Sequence, residues 1–171
     1  MISSQIRRLR QLYFTYQDLA DVLRIAPDSA RVSCHRYVRS GDLIRLKRNY
    51  YILRERWEHL NAEDFFVLAN LLQVPSYVSF TSALAHYGYT TQVQQNFIES
   101  ASLKRSAEIQ VQEFTFRFTK IKKEYYSHFL KQGNFFIATP EKALMDAFYM
   151  DTIGRYHLDT DSIDFGRFNK E

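Results

Sequence analysis

An abrupt change of period constrains this chain more than any other feature. Residues 31–53, RVSCHRYVRSGDLIRLKRNYYIL, run at helical spacing up to Ser40-Gly41 and at strand spacing immediately afterwards, so a helix must be followed directly by a two-stranded ribbon. Ala30, Cys34, Tyr37 and Val38 fall at i, i+4, i+7 and i+8 and share the buried face of that helix. Arg31, Val32, His35, Arg36 and Arg39 then point away from the core, with Ser29 and Ser33 beside them. Gly41 ends the helix. Leu43, Ile44, Leu46 and Tyr50, Tyr51, Ile52, Leu53 make two β-prone runs around Lys47-Arg48-Asn49, and asparagine tolerates the left-handed backbone of a tight hairpin.

Upstream, Ile6, Leu9, Leu12 and Tyr13 recur at helical spacing, which predicts a first helix over 3–13 with Arg7, Arg8 and Arg10 toward solvent. Thr15 is placed to cap a second helix, roughly 16–24, with Asp18 completing a weaker relative of the capping box. That helix buries Leu19, Ala20 and either Val22 or Leu23, and Ile25-Ala26-Pro27 breaks it. Asp28 or Ser29 caps the third. A short helix, a tight turn, a second helix with a basic outer face and a cation-tipped hairpin together predict a winged helix-turn-helix domain over 1–56.

In such a domain the helix presents side chains to base edges and the wing presents cations to phosphates. The candidate DNA-binding residues are Ser29, Arg31, Ser33, His35, Arg36 and Arg39 on the helix, Lys47, Arg48 and Asn49 at the wing, and Arg7, Arg8 and Arg10. The competing reading of the arginines is a solvated basic face. His35 stays open between a phosphate or base contact and an ordinary exposed histidine, and Cys34 reads as a small apolar core residue.

Charge supports the division. Residues 1–57 carry 12 Lys/Arg against 5 Asp/Glu, and the remainder carries 11 against 14, so the whole positive excess lies in the first third, as when one module faces a polyanion. Hydrophobic residues at 46% and aromatics at 16% are ample for packed cores. No apolar run reaches the roughly 18 residues of a membrane span, and the start, MISSQIRRLRQL, is too charged for a secretory leader. One cysteine excludes an internal disulfide or a multi-cysteine zinc site. The expectation is a cytoplasmic protein without membrane partners.

The charged segment 54–60 is expected to join two modules, with Trp57 as a candidate anchor. Beyond it the predicted class is α+β over 61–152, with a short, mainly antiparallel sheet. A helix is expected at about 61–73, another after Ser79 and ending at Gly88, strands at 96–100, 114–118 and 134–138, and a helix opened by Thr139-Pro140-Glu141. Residues 153–171 read as a polar, poorly ordered tail.

The order YVSFTSALAHYG, ESASLKR, FTFRFTKIKKEYY and FFIATPEKALMDAFYM resembles the AbiEi-type antitoxins of bacterial type IV toxin-antitoxin systems, over about residues 5–150. The resemblance implies an antitoxin that autorepresses its own operon by binding double-stranded operator DNA at inverted repeats. It also implies functional antagonism of a nucleotidyltransferase-like toxin without a stable complex. Carried over by position, the DNA-facing role falls on Ser29, Arg31, Ser33, His35, Arg36, Lys47 and Arg48, and the second module carries the antitoxin role. Many relatives continue beyond the point where this chain stops, and some carry a nuclease-like domain that it is too short to contain.

No catalytic constellation stands out. The glycines at 41, 88, 133, 154 and 166 are isolated, no acidic residue stands two before a lysine, and the histidines at 35, 59, 86, 128 and 157 lack metal-ligand spacing. Asp159, Asp161 and Asp164 lack the glycine and distal glutamate of a calcium loop. Lys104, Arg105, Lys120, Lys122 and Lys123 read as a solvated face rather than further DNA or toxin contacts, and Phe114, Phe116 and Phe118 as core rather than base-stacking platforms. The expectation is a non-enzyme without cofactor or metal. The alternative is a winged-helix adaptor that binds an acidic protein partner, or the toxin directly.

Overall fold

A computed structural model of the protein describes residues 6–169. The protein is mixed α and β, with a small antiparallel sheet and a larger mixed one, and the chain divides into two compact units, Met1–Asp64 and Phe65–Glu171.

The first unit contains α1 (Tyr16–Leu23), α2 (Pro27–Arg39), the hairpin β1 (Leu43–Lys47) and β2 (Tyr50–Leu53), and a single turn, α3 (Arg54–Trp57). Its core joins Ile6, Phe14, Leu19, Ala30, Cys34, Leu43 and Tyr51, all buried. Thr15 and Asp18 form a complete capping box on α1. α2 starts with Pro27 in its first turn and Ala26 as N-cap without a side-chain hydrogen bond, so Asp28 and Ser29 lie inside the helix rather than capping it.

Two expectations fail in this unit for one reason. The predicted helix over 3–13 is a 3-10 turn, Ile6–Arg8, followed by irregular chain; residues 3–5 lie outside the described chain. Phe14 and Tyr51 exchange both backbone hydrogen bonds, at 2.9 Å each, which takes Phe14 into a β-bridge. The Arg56 guanidinium donates to the carbonyls of Leu9, at 2.6 Å, and Gln11, the acceptors that a continuing helix would have offered its own amides. Segment 54–60 is correspondingly no mere connector, since Arg54 Nε also donates to Gly41 O at 2.7 Å.

The second unit carries a six-stranded sheet. Its strands are β3 (Ser76–Val78), β4 (Phe97–Ser102), β5 (Ala107–Val111), β6 (Phe114–Lys120), β7 (Phe129–Gln132) and β8 (Phe135–Ala138), in the order β5-β6-β4-β3-β8-β7. Antiparallel and parallel pairings alternate across it, with β6–β4 and β3–β8 parallel, so the sheet is mixed and has more strands than expected, with three of its five pairings antiparallel. β3, β5 and β7 went unpredicted. β5 and β7 are the two edges, where partial exposure weakens the apolar signature, and β3 has three residues, too few for a period. Three helices accompany the sheet: α4 (Ala62–Leu72), whose first turn holds the unit boundary, α5 (Phe80–His86) and α6 (Pro140–Thr152). Phe116 and Phe118 are fully buried, and Phe114 stacks on Phe65 with ring centroids 3.6 Å apart.

α6 holds a buried ion pair. Lys142 Nζ donates to Asp146 Oδ1 at 2.6 Å and to Tyr125 O at 2.6 Å, while Tyr77 and Ser79 each donate a hydroxyl to Asp146 Oδ2 at 2.8 Å. Ser79 stands at the N-cap of α5 but makes no capping hydrogen bond with its side chain, because the hydroxyl serves Asp146 instead. Burial pushes the Asp146 carboxyl above its ordinary value, against the opposing pull of Lys142, Ser79 and Tyr77.

The tail expectation is also corrected. Leu158 and Ile163 are buried, Thr90 and Ile163 form a β-bridge, and Gln92 Nε2 donates to Asp159 Oδ2 at 2.6 Å. Polar composition misled here, because Asp159, Ser162 and Asp164 bond back to residues 89–92.

Replacing Asp146 by Ala strands Lys142 and two buried hydroxyls and should lower the unfolding free energy by about 3–5 kcal/mol in urea titrations. The paired change Lys142→Met with Asp146→Leu should cost much less, because no buried charge is left alone.

Candidate nucleic-acid interface

The amphipathic pattern of α2 decides which side chains its outer face presents. Ala30 and Cys34 are fully buried, and Tyr37 and Val38 pack partly against the same core. Burial pushes the Cys34 thiol up to about 12, which leaves it an unreactive small apolar group at neutral pH. Ser29, Arg31, Val32, His35, Arg36 and Arg39 are exposed on the opposite face, with Ser33 half-buried.

The hairpin comes up beside this face. A cleft of about 490 Å³ is lined by Arg31, Val32 and His35 from α2, by Arg45, Arg48, Asn49 and Tyr51 from the hairpin, and by Tyr16 at the start of α1. The lining holds three guanidiniums and an imidazole and no carboxylate. Burial raises the Tyr51 phenol above its ordinary value, while Arg45 and Arg31 both pull it down, so charge from helix and hairpin acts on one point. Arg31 reaches Asp28 at 3.7 Å in an exposed i,i+3 pair, a contact of small energetic weight.

Asn49 forms the tip of the hairpin. It takes the left-handed conformation, φ 66°, so the turn closes tightly between β1 and β2. Its Oδ1 accepts from the Tyr16 N–H at 3.1 Å, and its Nδ2 donates to Gln17 Oε1 at 2.9 Å. The first of these satisfies a first-turn amide of α1 that the helix itself leaves unpaired. Asn49 thus fixes the hairpin tip to α1.

The other candidates separate. Lys47 is half-buried with its ammonium 4.6 Å from the centre of the Tyr50 ring, and the Arg36 guanidinium lies 5.3 Å from the Tyr37 ring. Arg7 pairs with Glu55 at 3.3 Å and lines a different hollow with Leu53, Arg56 and His59. Arg10 is exposed; the Arg8 side chain lies outside the described residues. Arg45 is the functional candidate that the sequence reading passed over. Its signal was present, since it stands between buried Ile44 and Leu46 and strand alternation alone turns it outward.

The second unit has its own polar cleft, about 480 Å³, lined by Thr81, Gln94, Glu99, Arg117, Arg155 and Tyr156 among others. Glu99 is 2% exposed and accepts from the Tyr156 hydroxyl at 3.0 Å, which in turn meets the Thr81 hydroxyl at 2.8 Å. Burial raises the Glu99 carboxyl above its usual range, and the Tyr156 hydroxyl, Arg117 and Gln94 oppose the shift. These groups bond among themselves and tie the last segment of the chain to the sheet. Among the described residues no group of three or more His, Cys, Asp or Glu is placed to hold a metal ion, and no helix is long and apolar enough to cross a membrane.

No protein-family model matches the chain, and a search of curated proteins finds no match.

Asn49→Ala should lose about 2–3 kcal/mol of stability, combining the strain of a left-handed alanine with a lost helix-end hydrogen bond. Asn49→Gly, which keeps the backbone conformation, should lose about 1 kcal/mol. Because the folded-state pKa of Glu99 is raised, its contribution is fully present below its unfolded pKa and is lost as pH rises through the folded value. Urea stability of the wild type should therefore fall over that window relative to Glu99→Gln, and parallel curves would refute the assignment.

Proposed function

We propose that the first unit is a winged helix that binds double-stranded DNA, and that the chain is an AbiEi-type antitoxin repressing its own operon. The observation that carries the DNA reading is the cleft in which Arg31 and His35 of α2 meet Arg45 and Arg48 of the hairpin. In this reading α2 enters the major groove, Arg31, His35 and Arg36 address base edges, and Arg45, Arg48 and Arg39 neutralise phosphates. Lys47, over the Tyr50 ring, and Asn49, bonded to Tyr16 and Gln17, also stand at the wing that faces the DNA in this reading. The bound protein blocks transcription sterically.

The antitoxin role rests on the sequence resemblance. Of the two most specific blocks, SALAHYG and ATPEKALMD, the second supplies Lys142 and Asp146, and the residues that bond to Asp146, Tyr77 and Ser79, stand just before the first in the run YVSFTSALAHYG. That gives the two runs a structural reason to occur together. The toxin partner is a nucleotidyltransferase-like protein antagonised without a stable complex.

A gel shift with the gene's own upstream region against scrambled DNA of equal length tests the reading. Selective retardation supports it; equal binding to both, with co-purification of an acidic protein, favours an adaptor. With about five phosphates contacted, log affinity against log salt should have a slope of about −4.5. Arg45→Glu and Arg48→Glu should weaken binding to every sequence, whereas Arg31→Ala should erode discrimination by roughly 1–3 kcal/mol.

A further inference from the structure

The outer face of α2 carries one residue that neither charge nor packing explains. Val32 is 66% exposed, and in the described part of the first unit the only other exposed large hydrophobic is Ile25, at 37%, in the turn between α1 and α2. A β-branched residue inside a helix restricts its own rotamers and lowers helix propensity. Val32 gains little burial in return, so the fold itself does not favour it there. Its surroundings are specific: it lines the cleft between Arg31 and His35 on its own helix and Arg45 and Arg48 on the hairpin.

We infer that Val32 is a specificity-determining residue that reads the 5-methyl group of a thymine in the bound site. The inference rests on the DNA reading above and deepens it. In the major groove thymine alone among the four unmodified bases presents a methyl group, and an apolar side chain is what discriminates it. The flanking cations hold the duplex against this face, and desolvating Val32 against the methyl supplies contact area that the isolated protein lacks. Arginines on either side of an aliphatic side chain form a surface that distinguishes thymine from cytosine by the methyl as well as by hydrogen bonding.

The first arm of the test changes only the DNA. A preferred site is first selected from a random-sequence duplex library, and each thymine in it is then replaced singly by deoxyuridine, which removes only the methyl. Wild-type protein should lose about fourfold in affinity at one position per half-site, the effect of losing one buried methyl-sized group. Val32→Ala, an exposed change to a better helix former that should not lower the thermal midpoint, should bind the thymine and deoxyuridine duplexes alike. Selective binding that is indifferent to deoxyuridine everywhere, a selected site without thymine, or a thymine preference retained in Val32→Ala overturns this inference alone. A protein that selects no sequence overturns the DNA reading, and the inference with it.

Discussion

The carboxamide of Asn49 sits where the hairpin turn and the start of α1 would otherwise be free to part. One of its atoms accepts from the Tyr16 amide and another donates to Gln17, while the two backbone hydrogen bonds between Phe14 and Tyr51 fix the next residues of the same strand. Hydrogen bonds of this kind contribute only about 1 kcal/mol each. Their importance is geometric. They tie the hairpin, which carries Arg45 and Arg48, to the start of α1, while the packing of α2 on the same core sets Arg31 and His35 in the shared cleft. Arg31, Arg45 and Arg48 thus line one cleft with no carboxylate in its lining, so their like charges repel one another.

Among the described residues, the buried charged side chains all lie in the second unit. In the first, guanidiniums stand in solvent, where an ion pair such as Arg31–Asp28 carries little weight. In the second, Lys142 and Asp146 are withdrawn from water and tolerated only because Tyr125, Tyr77 and Ser79 satisfy what the pair leaves over. A buried arrangement of this kind adds little net stability over a well-packed apolar one, but it is costly to break. Glu99 with Tyr156 repeats the device closer to the surface. Lys142, Asp146 and Glu99 thus face partners inside the second unit, whereas Arg31, Arg45 and Arg48 of the first are exposed.

Much of the candidate interface was legible because its signals are local. The i, i+4, i+7 spacing of Ala30, Cys34 and Tyr37 settled which side of α2 is buried, and Thr15 with Asp18 announced the start of α1. Arg45 was equally legible from alternation in LIRLK, where it stands between two buried residues. Other features were not written locally. Nothing in the spacing of Ile6, Leu9 and Leu12 reveals that Arg56 occupies the carbonyls of Leu9 and Gln11. Ser79 has the composition of a cap, yet its partner is 67 residues away.

The sequence by itself determined the segregation of positive charge, the buried and exposed faces of α1 and α2, and the hairpin that follows them, because helical and strand periods and turn chemistry act over a few residues. Only the tertiary structure decided which cations share a cleft, how six strands are ordered and paired, and that residues 156–163 pack rather than trail. Those outcomes turn on hydrogen bonds and buried contacts between residues far apart in the chain, whose partners no local pattern encodes.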